Sequence, residues 1–190
     1  MKLPSATRLV ILCRTRAQAD EALRCVREIL AGMGLELHPE KTRVVELGLG
    51  RDGFVFLGCH LRVMRSHFKG RTYLFRWPSP KAMSRIRERI RELTDRRRRA
   101  GMRDVREVIR DLNPVLRGWG NYFRTGNASW KFQQVDRYVN QRLVRLMYRG
   151  RRDRTRPFAN RDWPPARFVN EFGLHRLLGT IRYPGSARAA

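Results

Sequence analysis

The chain is 190 residues long and 42% hydrophobic, enough for one or two small domains with a real core and too apolar for a disordered polymer. Its net charge is +25 and its pI is near 11.6, and only five of its 42 basic residues are lysine. A base composition that favours arginine codons could replace Lys by Arg, but it would not create so large an excess of positive charge. That excess points to a polyanion, with nucleic acid the leading partner, because the arginine fork grips phosphate and stacks on bases.

Along the chain, Leu9–Cys13 reads as a short buried strand. "LVILC" behind Lys2 faintly suggests a lipoprotein leader, but the run is too short and Leu12 is too large for cleavage. Thr15 then caps a helix, and Gln18 completes a capping box. Ala19, Ala22, Val26, Ile29 and Met33 give that helix one apolar face, and Gly32 and Gly34 stop it. Thr42–Leu47, Phe54–Val63 and Thr72–Trp77 read as strands, with "GLGRDG" as a turn between the first two. Residues 1–77 are therefore expected to be α+β.

"WPSP" at 77–80 breaks the pattern, and helical periodicity follows. Met83, Ile86, Ile90 and Leu93 form a first stripe. Val105, Val108, Ile109, Leu112, Val115, Leu116, Trp119, Tyr122 and Phe123 form a second, with Pro114 inside it and a kink expected there. Val135, Val139, Leu143 and Leu146 form a third, with Ser129 as its N-cap. Residues 78–150 thus predict a three-helix bundle. Residues 151–190 read as a basic Arg/Pro-rich extension with a helical patch around Ala166–Phe172.

Three cysteines and four histidines show no zinc spacing, and the adjacent Cys59 and His60 read as packing residues. The odd cysteine count suits a reducing compartment, and no run reaches membrane-spanning length. A cytoplasmic protein without a membrane partner is expected.

The candidate RNA contacts are arginines that local acids do not neutralise. Arg96, Arg97, Arg98 and Arg99 cluster between the first two helices, and Arg149, Arg151 and Arg152 open a second cluster. Arg85 and Arg89 flank the first stripe, although Glu88 and Glu92 can pair with arginines on that face. Arg117, Asn121 and Arg124 lie off the second stripe, and Lys131 begins the third helix. Gly118 and Gly120 would admit a close backbone approach.

"GLELHPEKTRVV" (34–45), "GFVFLGCHL" (53–61) and "LNPVLRGWGNYF" (112–123), in this order and spacing, resemble the reverse transcriptase–maturases encoded by group II introns. The resemblance implies that residues 1–77 are the incomplete rear of a polymerase palm and 78–150 the thumb, or maturase-specific, domain. The tail would then contact DNA. In the family an acidic Tyr-Ala-Asp-Asp turn precedes the strand matching Leu9–Cys13. Here Ser5, Ala6, Thr7 and Arg8 stand at that turn. The two-magnesium clamp of nucleotidyl transfer needs carboxylates there, so no catalytic residue and no cofactor are expected, magnesium belonging only to the complete family polymerase.

By the same resemblance Phe56, Leu57 and Gly58 would form a primer grip, although burial in an ordinary strand explains Phe56 and Leu57 as well. Lys41 matches a position near the leaving phosphates. The expected function is that of a truncated maturase that binds structured intron RNA and assists splicing without polymerising alone. The alternative is the thumb subunit of a split RNA-directed DNA polymerase, completed by a separate palm and fingers fragment that would pack on an exposed apolar flank. A simple DNA-binding or ribosome-associated basic protein would have no use for the palm-like blocks.

Overall fold

The computed structural model describes residues 9–66, 70–95, 104–147 and 163–182. Among them it shows five helices and one three-stranded antiparallel sheet, an α+β combination. The elements run α1 (Arg16–Gly32), β1 (Phe54–Phe56), β2 (Cys59–Arg65), β3 (Thr72–Pro78), α2 (Pro80–Leu93), α3 (Val105–Phe123), α4 (Ser129–Met147) and α5 (Pro165–Asn170).

The first helix starts where its cap chemistry places it. The Thr15 hydroxyl accepts a hydrogen bond from Gln18 N at 3.2 Å, and the Gln18 side chain accepts one from Arg14 N. The left-handed φ of Gly34, +70°, follows the helix end. Its apolar stripe, however, meets no core: α1 has no buried residue, and Ile29 and Met33 are exposed.

Two of the expected strands do not form. Leu9–Cys13 and Thr42–Leu47 join no ladder, and Leu9, Ile11 and Leu12 are exposed. The physical reason is that a strand is defined by its neighbour. Apolar, β-branched residues supply propensity, but without a partner's N–H and C=O groups the backbone has nothing to pair with.

The expected strand at 54–63 is instead two strands joined by a two-residue turn, with Phe56 opposite Cys59 and Phe54 opposite Leu61. Both turn residues, Leu57 (φ +47°) and Gly58 (φ +77°), have the positive φ that primed hairpin turns require. The β2–β3 ladder runs from Cys59 opposite Pro78 to Arg65 opposite Thr72.

The Trp77–Pro80 break is a junction between sheet and bundle. Ser79 is buried and caps α2, its hydroxyl accepting from Ala82 N, while its own N–H donates to Gly58 O at 2.8 Å. Met83, Ile86, Ile90 and Leu93 are all buried, as their spacing predicts. In α3, Val105, Val108, Ile109, Leu112, Leu116 and Phe123 are buried, and the helix continues through Pro114. In α4, Phe132, Val135, Val139 and Leu143 are buried. The cap of this helix lies one position earlier than expected: Ala128 O accepts the first helical bond, from Phe132 N, so Ser129 is the first helical residue rather than the cap.

Residues 163–182, expected as part of an extension, pack into this bundle. Phe168 and Leu177 are fully buried, and Leu174 is nearly so. The Asn113 side chain clasps the tail twice, donating to Gly173 O at 2.9 Å and accepting from His175 N at 2.8 Å. The Asp136 carboxylate accepts from Leu177 N and Leu178 N at 3.0 and 2.9 Å. A β-carbon on Gly120 would lie 2.6 Å from Leu177 Cδ2, so the close approach foreseen for that glycine is made by the chain's own tail.

The sheet is fastened to the α3–α4 turn along β3. Asn127 N donates to Arg76 O at 2.7 Å, and the Arg76 guanidinium donates to the Thr125 hydroxyl. Gly126 lies between them, and a β-carbon there would stand 2.4 Å from Arg76 O, a backbone atom that cannot rotate away. Gly126→Ala is therefore expected to destabilise the protein by about 1–3 kcal/mol. At about 2–4 °C per kcal/mol for a chain of this size, a thermal melt would register the loss. An unchanged melting temperature would show that this approach is not part of the fold.

Candidate nucleic-acid interface

The exposed side of α3 presents Arg117, Asn121 and Arg124 at steps of four and three, so the helix itself aligns them on one side. The sequence reading placed these three off the apolar stripe, and their exposure agrees with it. Arg117 and Asn121 are exposed and Arg124 is half-buried, while Phe123 and Gly120 on the opposite side are buried. The aromatics divide the work. Trp119 packs at 4.9 Å from Phe123 and 5.4 Å from Phe132, whereas Tyr122 is exposed and its hydroxyl donates to Leu57 O at 2.7 Å.

The tail adds residues that the sequence reading did not single out. Arg182 N donates to Arg124 O at 2.7 Å, which joins the backbones of the two arginines. Asn121, Arg124, His175, Thr180 and Arg182 line one groove, whose floor includes Gly120 and Gly179. His175 is half-buried, and its imidazole is held below the ordinary range, first by burial and then by the positive charge of Arg117, with Asp136 opposing. The Asp136 carboxyl is pushed above its ordinary range by burial, against its two backbone donors and the nearby charges of Arg176 and His175. The signal for this arrangement in the sequence was composition alone: Leu174, Leu177 and Ile181 are apolar residues just beyond the helical patch.

The other candidates lie elsewhere. Arg85 and Arg89 are exposed on α2 one turn apart, and Arg89 pairs with Glu92 at 2.9 Å, so local acid offsets part of that face. Lys131 is half-buried in the first turn of α4. Phe56, Leu57 and Gly58 form the β1–β2 turn, where Phe56 is half-buried and Leu57 exposed, docked on the C-terminal end of α3 through Tyr122. Lys41 is exposed in the turn after His38. Arg96–Arg99, Arg149, Arg151 and Arg152 lie outside the described residues.

Cys59 and His60 are positioned by packing. Cys59 is buried, which raises its thiol pKa, and His60 stacks on Trp77 at 4.8 Å. No helix among the described residues is long and apolar enough to cross a membrane.

The small bundle buries its apolar stripes and turns Arg117 and Arg124, which form no ion pair among the described residues, toward one positively charged face. Residues 83–163, which span α2 to α4 and reach the start of the described tail, match the family described as group II intron, maturase-specific domain. This match supports a group II intron maturase with a role in splicing and intron RNA as its partner. No curated protein matches the chain.

Proposed function

We infer that this chain binds structured group II intron RNA and assists its splicing without carrying out polymerisation itself. The observation that carries this reading is the coincidence of the family match at 83–163 with a bundle whose α3 face holds Arg117, Asn121 and Arg124. Splicing help of this kind asks no covalent chemistry of the protein. The intron is the ribozyme, and the protein supplies counter-charge and a shaped surface. The turn positions Ser5–Arg8 hold no carboxylate, so these residues offer no clamp for a pair of magnesium ions. Phe56, Leu57 and Gly58 serve in this reading as a surface for a strand end, and the basic residues beyond Arg149 as a further contact to nucleic acid, DNA included.

A second reading is favoured by one specific observation. Leu9, Ile11, Leu12, Ile29 and Met33 are exposed on the first two segments, the sort of apolar surface that another folded part would cover. In that reading the cover is a palm and fingers segment outside these 190 residues, and the chain acts as the thumb of a polymerase.

Binding to a group II intron RNA and to an unrelated structured RNA of equal length, measured across a salt series, tests the first reading. Preference for the intron RNA is expected, with a log–log salt slope of roughly −0.7 to −0.9 for each phosphate neutralised. Equal affinity for both RNAs would leave only generic polyanion binding and overturn it.

A further inference from the structure

The groove between α3 and the tail has features that general RNA affinity does not account for. Its volume is about 360 Å³, at the small end of ligand pockets, and no acidic residue lines it. The bond from Arg182 N to Arg124 O joins the backbones of two arginines, and neither takes part in an ion pair among the described residues. Both residues line the groove, and like charges gathered around one small groove repel one another less when an anion occupies it. Arg117 adds its field from α3, as the lowered pKa of His175 shows, and Arg176 stands next to His175 in the chain. The carboxylate that faces His175, Asp136, already accepts two backbone N–H groups.

The remaining lining is suited to a sugar. The Thr180 hydroxyl donates to Leu177 O at 2.7 Å, which leaves its oxygen as an acceptor. Asn121 offers both a donor and an acceptor, the complement of a 2′-hydroxyl. Gly179 is exposed and adds no side chain to the floor, and nothing lies within 4 Å of where its β-carbon would be, so a backbone can come close there.

We propose that this groove seats one ribose-phosphate unit of RNA, with Arg124 and Arg182 sharing a single phosphodiester and Asn121 and Thr180 meeting the neighbouring 2′-hydroxyl. The assignment rests on the RNA-binding reading above and adds a place and a chemistry to it. His175 lies in the same lining, so its protonation adds a third positive group. The charged groups that act on it are Arg117 from α3 and Asp136 from α4, while Arg124 and Arg182 share its groove and Arg176 lies by Asp136. Acidification therefore strengthens phosphate binding through His175, and the gain is lost as pH rises through its lowered pKa.

The test uses the full chain and a salt series on intron RNA, comparing wild type with the double variant Arg124→Gln/Arg182→Gln. The matched control is Arg27→Gln/Arg43→Gln, two exposed arginines of the N-terminal half that lie outside the groove and outside every proposed contact, and its slope is expected to stay at the wild-type value. The groove pair is expected to flatten the salt slope by about 0.7–0.9, one phosphate's worth, although it removes two charges. His175→Asn, tested between pH 7.5 and 5.5, is expected to lose part of the wild type's gain in affinity on acidification. A single-stranded ribo-oligomer and its deoxy counterpart are compared in parallel with Asn121→Ala, which should weaken only the ribo-oligomer. Wild-type RNA binding with an unchanged slope in the groove pair would overturn the groove and leave the function reading standing. Equal loss on both oligomers would overturn the ribose contact, and absence of RNA binding by wild type would overturn both readings together.

Discussion

A chain ending at residue 162 is expected to lose cooperative thermal unfolding, whereas one ending at Arg182 keeps it. The tail contributes to the same core as the three long helices: Phe168 and Leu177 are fully buried, and Leu174 is 6% exposed. Trp163 extends the cluster, stacking at 5.8 Å from Phe168. Truncating a single buried Leu or Phe costs about 2–5 kcal/mol, because the neighbours collapse only partly into the space. Removing three such side chains together reaches the scale of a whole domain's stability, about 5–15 kcal/mol. Polar consequences add to this. Without the tail, Asn113 loses both its partners, and the Asp136 carboxylate loses the two N–H donors that offset its burial. Circular dichroism melts of the two chains should therefore differ in kind, one sigmoidal and one broad and shallow. Identical melts would show that the tail rests on a bundle already complete without it.

The same tail shows where a linear sequence stops being legible. The stripes of α2, α3 and α4 were readable because a helix's periodicity is local: Met83, Ile86, Ile90 and Leu93 recur at the spacing of a turn whatever they pack against. Of the tail's buried residues only Phe168 lies in a helix, α5; Leu174 and Leu177 reach the core from irregular chain, where no period announces them, and arginines and prolines dominate the composition around them. Leu9–Cys13 failed as a strand for the opposite reason, since a ladder needs a second segment that no local pattern supplies. The interface divides in the same way. Arg117, Asn121 and Arg124 were visible as residues off an apolar stripe. Their juxtaposition with His175 and Arg182 spans more than fifty residues of chain and depends on a tertiary clasp.

Hydrogen exchange should divide the molecule at about Cys59, the first buried residue of the described chain. Before it, the apolar stripe of α1 is at most half-buried, at Leu23, Val26 and Leu30, and its polar interactions among the described residues are local, the Thr15 cap and the exposed pairs Arg16–Asp20 and Glu21–Arg24. Such pairs are screened by water and contribute little. A helix of 17 residues with no fully buried residue is marginal in water, because nucleation is costly and each added residue returns little. Its amides are expected to exchange within about tenfold of the unstructured rate, while those of Leu112, Leu116, Val135 and Val139 should be slowed by roughly 10³-fold or more. Buried core amides open only when the whole unit unfolds, and the equilibrium constant for that event sets the scale. The exposed side chains explain why the contrast should be sharp: Ile29 is 63% and Leu12 78% accessible, so folding of this half buries too little apolar surface to offset the ordering of its backbone. Protection of α1 equal to that of α3 would mean that the N-terminal half shares the bundle's cooperativity, and that its apolar face is covered in solution by a partner or by a second copy of the chain.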